Sequence, residues 1–158
     1  SELYFINNGM IKPEDFIDPK EKPIKDILNM WAGIGLHNQI EDLMGKENSE
    51  KKREFFYKDI TLVGKADYLP VGKNQVWEFK TSEKLMEKAK PWQEHQVKLY
   101  TTMFELPEGV IFQPVQNSDG VFLKNLGTVK RDDVWFQEEL EKLYTFHQKV
   151  EKLWNERR

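Results

Sequence analysis

Residues 63–80, VGKADYLPVGKNQVWEFK, limit the possible folds of this chain more than any other stretch. Two strand-like runs rich in β-branched and aromatic residues flank a short Gly/Lys/Asn turn. They place Asp67, Glu78 and Lys80 where a folded sheet favours apolar residues. Glu78 and Lys80 are two apart, so a strand carries both on one face, with Val76, Trp77 and Phe79 filling in around them. A buried acid and a buried ammonium are costly unless they are paired or put to use. A divalent metal is a use that suits them.

The rest of the chain supports a packed domain around this stretch. Its 158 residues suffice for one domain, 1–158, with a real core. A 39% hydrophobic and 32% charged composition is that of a soluble globular protein rather than a disordered one. The formal net charge of −3 argues against an indiscriminate, strongly basic nucleic-acid binder, although lysines cluster at 51–53, 84–90 and 130–131. Cysteine is absent, which excludes disulfides, zinc–thiolate centres and cysteine-ligated iron–sulfur clusters in this chain. No apolar run approaches the roughly 18 residues of a membrane span. The chain start lacks a basic-then-apolar signal segment. An intracellular setting is therefore expected.

In chain order, residues 1–23 read as loop with at most one short helical turn, because Asn7-Asn8-Gly9 and three prolines interrupt them. Residues 24–44 read as helix, entered after Pro23 and ended by Gly45. KENSEKKR (46–53) reads as polar loop, and 54–61, 62–69 and 75–81 as strands. Phe55, Phe56 and Tyr57 read as core. Residues 83–90 read as a short basic helix or turn. Pro91 opens a helix over about 91–105, stopped by Pro107 and Gly109. Strands follow at 109–115 and 121–128. A last helix, about 132–156, carries the apolar stripe Phe136, Leu140, Leu143, His147, Val150, Trp154, with His147 expected to be structural. The sum is an α/β domain: a mixed central sheet of about five strands flanked by helices.

Phosphodiester hydrolysis requires an activated water and charge stabilisation on the phosphate and leaving oxygen. A cation held by carboxylates supplies both, and Mg²⁺ is bound through one or two carboxylates plus phosphate oxygens and water. A neighbouring lysine orients or deprotonates water and offsets charge. An E-x-K triplet alone is common on exposed surfaces, so further elements matter. His37 lies on the glycine-flanked helix, with Glu41 one turn later. Gln96 and Tyr100 are four apart and share a helix face. Taken singly, each has an ordinary structural reading: a hydrogen-bonded core histidine, or plain helix amphipathicity. His95 is assigned a structural role, with a substrate contact as its alternative, and Trp92 a core or rim position, with base stacking as its alternative.

Together, GLHNQIEDLMG (35–45), VGKADYL (63–69), VWEFKTS (76–82) and QEHQVKLYTTMF (93–104) resemble the RecB-like branch of the PD-(D/E)XK nuclease superfamily. The resemblance covers the central half of the chain in the family's order. It implies a restriction-endonuclease-like core and a Mg²⁺- or Mn²⁺-dependent deoxyribonuclease, commonly an exonuclease acting on DNA ends or single strands in DNA processing, recombination or repair. It implies His37, Asp67 and Glu78 as metal ligands, with the Phe79 backbone carbonyl helping. Lys80 then assists water, and Gln96 and Tyr100 match the Q-x-x-x-Y helix. Thr81, Lys84, Lys88, Lys90 and Trp92 are candidates for nucleic-acid contact, and Glu41 for support of His37. The chain departs from cluster-bearing members in having no iron–sulfur cysteines. The rival readings are a catalytically silent nucleic-acid-binding scaffold of the same fold, and an unrelated α/β protein with a chance motif.

Overall fold

The computed structural model of the protein describes residues 2–16 and 46–157. The helix expected over 24–44, and His37 and Glu41 with it, lies outside these residues. Five strands form one sheet in the order β1-β2-β3-β4-β5: β1 Ser49–Tyr57, β2 Ile60–Tyr68, β3 Gln75–Phe79, β4 Glu108–Asn117 and β5 Gly120–Lys130. The strands β1, β2 and β3 run antiparallel in sequence, β3 and β4 are parallel, and β4 and β5 form a hairpin. A parallel pair needs a crossover. Helix α2, Pro91–Met103, supplies it between β3 and β4. The short α1 (Glu2–Asn7) and the long α3 (Asp133–Arg157) complete the α-helices among the described residues. The architecture is thus a mixed five-stranded sheet flanked by helices. None of the described helices is long and apolar enough to cross a membrane.

Local chemistry explains the boundaries of these elements. Pro91 occupies the first turn of α2, where its missing N–H costs nothing. Asp132 caps α3 by accepting a bond from the Trp135 N–H at 3.0 Å. The apolar stripe of α3 is buried at Phe136, Leu140 and Leu143 but has emerged by Trp154, which is 45% exposed, so the helix outlasts the core it covers. One cluster unites Leu62, Ala66, Val76, Val97, Leu99, Ile111, Leu126 and the three α3 residues. Glycine sets the distance between α2 and the sheet at two points. A Cβ on Gly109 would lie 2.3 Å from Val97 Cγ1, and one on Gly64 would lie 2.8 Å from Met103 Cε and 3.0 Å from Tyr100 Cε1. Gly109 has no room for a side chain, whereas at Gly64 the flexible end of Met103 would have to move, and the close approach brings Tyr100 down onto β2.

Several sequence expectations change. The first residues, expected as loop with at most one short helical turn, form α1 and a 3-10 turn over Pro13–Phe16. The polar run expected as loop is instead the first half of β1, an edge strand whose Lys51, Lys52, Arg53 and Glu54 are all exposed. Charge along an edge discourages pairing with another chain. The hairpin turn falls at Lys58-Asp59, with Lys58 at φ +51° and Tyr57 opposite Ile60, not between 61 and 62. Phe56 consequently points out of the core and is 71% exposed. Residues 83–90, expected as a short basic helix or turn, form bends and no helix.

Candidate active site

The strands β2 and β3 pair at Tyr68 opposite Trp77. One step further, side-chain carboxylates take the place of ladder carbonyls. Glu78 Oε1 accepts the Asp67 N–H at 2.9 Å, and Asp67 Oδ2 accepts the Phe79 N–H at 2.7 Å. This reciprocal exchange fixes both acids side by side, each anchored through one oxygen. It also explains why acids occur in strands this apolar, since they satisfy backbone groups that the sheet leaves there.

Glu78 is 3% exposed. Burial pushes its carboxyl well above the usual carboxylate range, the negative charge of Asp67 adds to the shift, and Lys80 opposes it. Lys80 Nζ lies 3.7 Å from Glu78 Oε2 and also donates to Gln96 Oε1. The other end of the same amide, Gln96 Nε2, donates to the Tyr100 hydroxyl at 3.2 Å. Burial, with Glu78 nearby, raises the Tyr100 phenol to about 12, so it stays protonated. An unbroken chain of contacts therefore runs Asp67–Glu78–Lys80–Gln96–Tyr100. It joins two strands to one face of α2, as the Gln96–Tyr100 spacing requires.

This donor set fits a hard divalent cation. Two adjacent carboxylates, one of them almost wholly desolvated, hold more negative charge than one ammonium offsets, and oxygen donors suit Mg²⁺ and Mn²⁺. A cation between such acids would relieve the burial that raises Glu78.

The remaining candidates divide. Thr81 is half-buried directly after Lys80, and Lys84, Lys88 and Lys90 are exposed along the segment leading to α2. Trp92 packs against Phe5 of α1, with ring centres 5.6 Å apart, and against Tyr4 at 6.5 Å. That is the rim position expected as its first reading. His95 is buried and faces away from the acids, with its Nε2 3.6 Å from Glu139 Oε2. Asn7 donates to the same Glu139 oxygen, and the Tyr4 and Trp135 rings pack edge-on against the imidazole. Burial lowers the His95 pKa, partly countered by Glu139. His147 is at the margin of the core, 3.1 Å from Glu151 and 3.5 Å from Asp59.

A cavity of about 1100 Å³ lies on the His95 side, where Tyr4, Lys98, Trp135 and Glu139 help to line it. It is not where the two strand acids meet. Chemistry rather than concavity picks the site. The cavity wall mixes acids and bases, whereas the β2–β3 junction concentrates two acids on a lysine. Sequence reasoning missed Gln113, a polar residue 3% exposed in the middle of β4. Its signal was a glutamine inside the apolar run Val-Ile-Phe-Gln-Pro-Val.

No protein-family model and no curated protein matches the chain by sequence. Among solved structures, the chain is similar to a phage related exonuclease from Haemophilus somnus 129PT, with a TM-score of 0.63 at 13% identity, over 82% of this chain and 74% of that one. It is also similar to the crystal structure of SSO0001, with a TM-score of 0.58 at 18% identity, over 84% and 68%. At these identities the likeness establishes the fold, a restriction-endonuclease-like α/β core.

Proposed function

We propose that the protein is a divalent-metal-dependent DNA nuclease of the RecB-like kind, an exonuclease acting on DNA ends or single strands in DNA processing, recombination or repair. The observation that carries this reading is the continuous Asp67–Glu78–Lys80–Gln96–Tyr100 network. Five polar side chains from three elements converge where a structural role would need at most one pair. The fold shared with a phage related exonuclease supports it.

In this reading Asp67, Glu78, His37 and the Phe79 carbonyl hold Mg²⁺ or Mn²⁺. The ion, when bound, polarises the scissile phosphate and lowers the pKa of water. The chain's own groups do the rest. Lys80 is held by Glu78 and Gln96, so its ammonium has one preferred position from which to orient a water and offset negative charge on the phosphate. Gln96 transmits the position of Tyr100 to Lys80, and Tyr100, protonated throughout the physiological range, donates rather than ionises. The reading carries an intracellular setting with it.

The test is cleavage of labelled single- and double-stranded DNA with Mg²⁺, Mn²⁺ or chelator. Metal-dependent release of nucleotides, lost in Asp67→Ala and Lys80→Ala, is expected. Undiminished cleavage in chelator, or in either variant, overturns the reading.

A further inference from the structure

Residues 80–90 join β3 to α2 without forming helix or strand. Such a segment must hand its amides and carbonyls to water or to neighbouring elements. Here the sheet takes them. Gln113 of β4 accepts the Met86 N–H at 2.8 Å through Oε1 and donates through Nε2 to the Lys84 carbonyl at 2.9 Å. Lys124 of β5 donates its ammonium to the Met86 carbonyl. The Ala89 N–H reaches the Leu126 carbonyl at 3.1 Å, and the Lys80 N–H reaches the Phe112 carbonyl at 2.8 Å. The segment is therefore a strap pinned at 80, 84, 86 and 89.

Its side chains contrast with this anchoring. Lys84, Lys88 and Lys90 are exposed, and no carboxylate among the described residues pairs with them. Glu83 and Glu87 leave the strap one positive charge in excess over residues 83–90. Ordering a loop costs conformational entropy, and a buried glutamine must satisfy both ends of its amide. Both costs fall on a segment that begins at Lys80.

We propose that Gln113 is a positioning residue for substrate: it holds the strap so that Lys84 and Lys88 meet the DNA backbone beside Lys80. This rests on the nuclease reading above and adds to it a residue that touches neither metal nor DNA. A cationic loop fixed before binding loses little further freedom on meeting a polyanion.

Gln113→Met keeps the size of the side chain and removes both hydrogen bonds. In Mg²⁺ or Mn²⁺ its KM for a labelled oligonucleotide should rise about tenfold with kcat little changed, the pattern of weakened binding rather than impaired chemistry. The log–log salt dependence of binding should become shallower by about one for each lysine that no longer reaches a phosphate. Hydrogen exchange at the Met86 amide should speed up. The double variant Lys84→Ala/Lys88→Ala should show the same KM defect, and adding Gln113→Met to it should change nothing more. Lys124→Met, which loosens the strap from β5, should act in the same direction with a smaller effect and covers the case in which Gln113→Met fails to fold.

Full additivity, unchanged Met86 exchange, or a fall in kcat at constant KM overturns the proposal. If the unmodified protein cleaves no DNA in any metal, it is the nuclease reading that fails. Oligonucleotide binding then judges the strap alone, and equal affinity in Gln113→Met and the unmodified protein sinks it.

Discussion

Two nearly buried carboxylates flank the same helix and have opposite surroundings. Glu78, 3% exposed, meets Lys80 and through it Gln96; Glu139, 5% exposed, meets His95 and Asn7. His95 and Gln96 are consecutive, so the two clusters lie about 100° apart around α2. On the His95 side the imidazole is driven neutral by burial, and aromatic rings from α1 and α3 close over it. Everything there ties α1 to α2 and α3. On the Gln96 side a second acid adjoins the first, and the base is a lysine whose side chain is still 21% exposed. Burial of charge is common to both. What separates a candidate site from a staple is an excess of one charge beside a base with access to solvent.

The largest expected effect tests that distinction directly. Lys80→Ala should lower kcat by about 10²–10⁴-fold, the range of a lost general acid or base. His95→Phe should leave kcat within a few-fold, because the ring packing is kept. Equal loss in the two variants in a metal-dependent cleavage assay would erase the contrast. Next in size, Gln96→Ala and Tyr100→Phe should each cost about 10- to 100-fold, as expected when a hydrogen bond to a charged or buried group is removed.

Much of the Gln96 side was legible in the sequence because its parts are local. Asp67, Glu78 and Lys80 fall within 14 residues, and Gln96 and Tyr100 share one helix face. The His95 side was not legible in this way. Its partners Asn7 and Glu139 are 88 and 44 residues away along the chain, and each reads alone as a surface residue. The sheet was legible as five strands, but two boundaries were not. Lys51 to Glu54 have the same composition in a loop and on an exposed edge strand. The Lys58-Asp59 turn lacks the glycine or asparagine that marks most tight hairpins. Gln113 was hidden because its role depends on a strap with no periodicity of its own.

The staple itself predicts stability rather than activity. Glu139→Ala removes the carboxylate that accepts from the Asn7 amide and lies beside His95, and leaves that amide only the Glu139 backbone carbonyl at 3.3 Å. It should cost about 1–3 kcal/mol in a denaturant titration, with kcat unchanged for the protein that remains folded. A stable variant with impaired cleavage would mean that the two clusters communicate through α2.

The pH dependence of stability sharpens the contrast further. The His95 pKa is lowered from 6.5 in the folded protein, so the unfolded chain binds its proton more readily. The stabilising contribution is fully present above pH 6.5 and is lost as pH falls from there toward the depressed value. Glu139 opposes this by favouring the imidazolium, and Lys142, 3.9 Å from Glu139, weakens that opposition. Thermal unfolding of the unmodified protein should therefore move to lower temperature between about pH 7.5 and pH 5.5, and His95→Phe should flatten that part of the curve. If the slope persists in His95→Phe, the proton is taken up elsewhere. At the hairpin tip, Asp59→Asn removes one of the two carboxylates beside the half-exposed His147. As an exposed pair that substitution should cost less than about 1 kcal/mol at neutral pH. A larger loss would show that the hairpin tip is held to α3 more strongly than its exposure indicates.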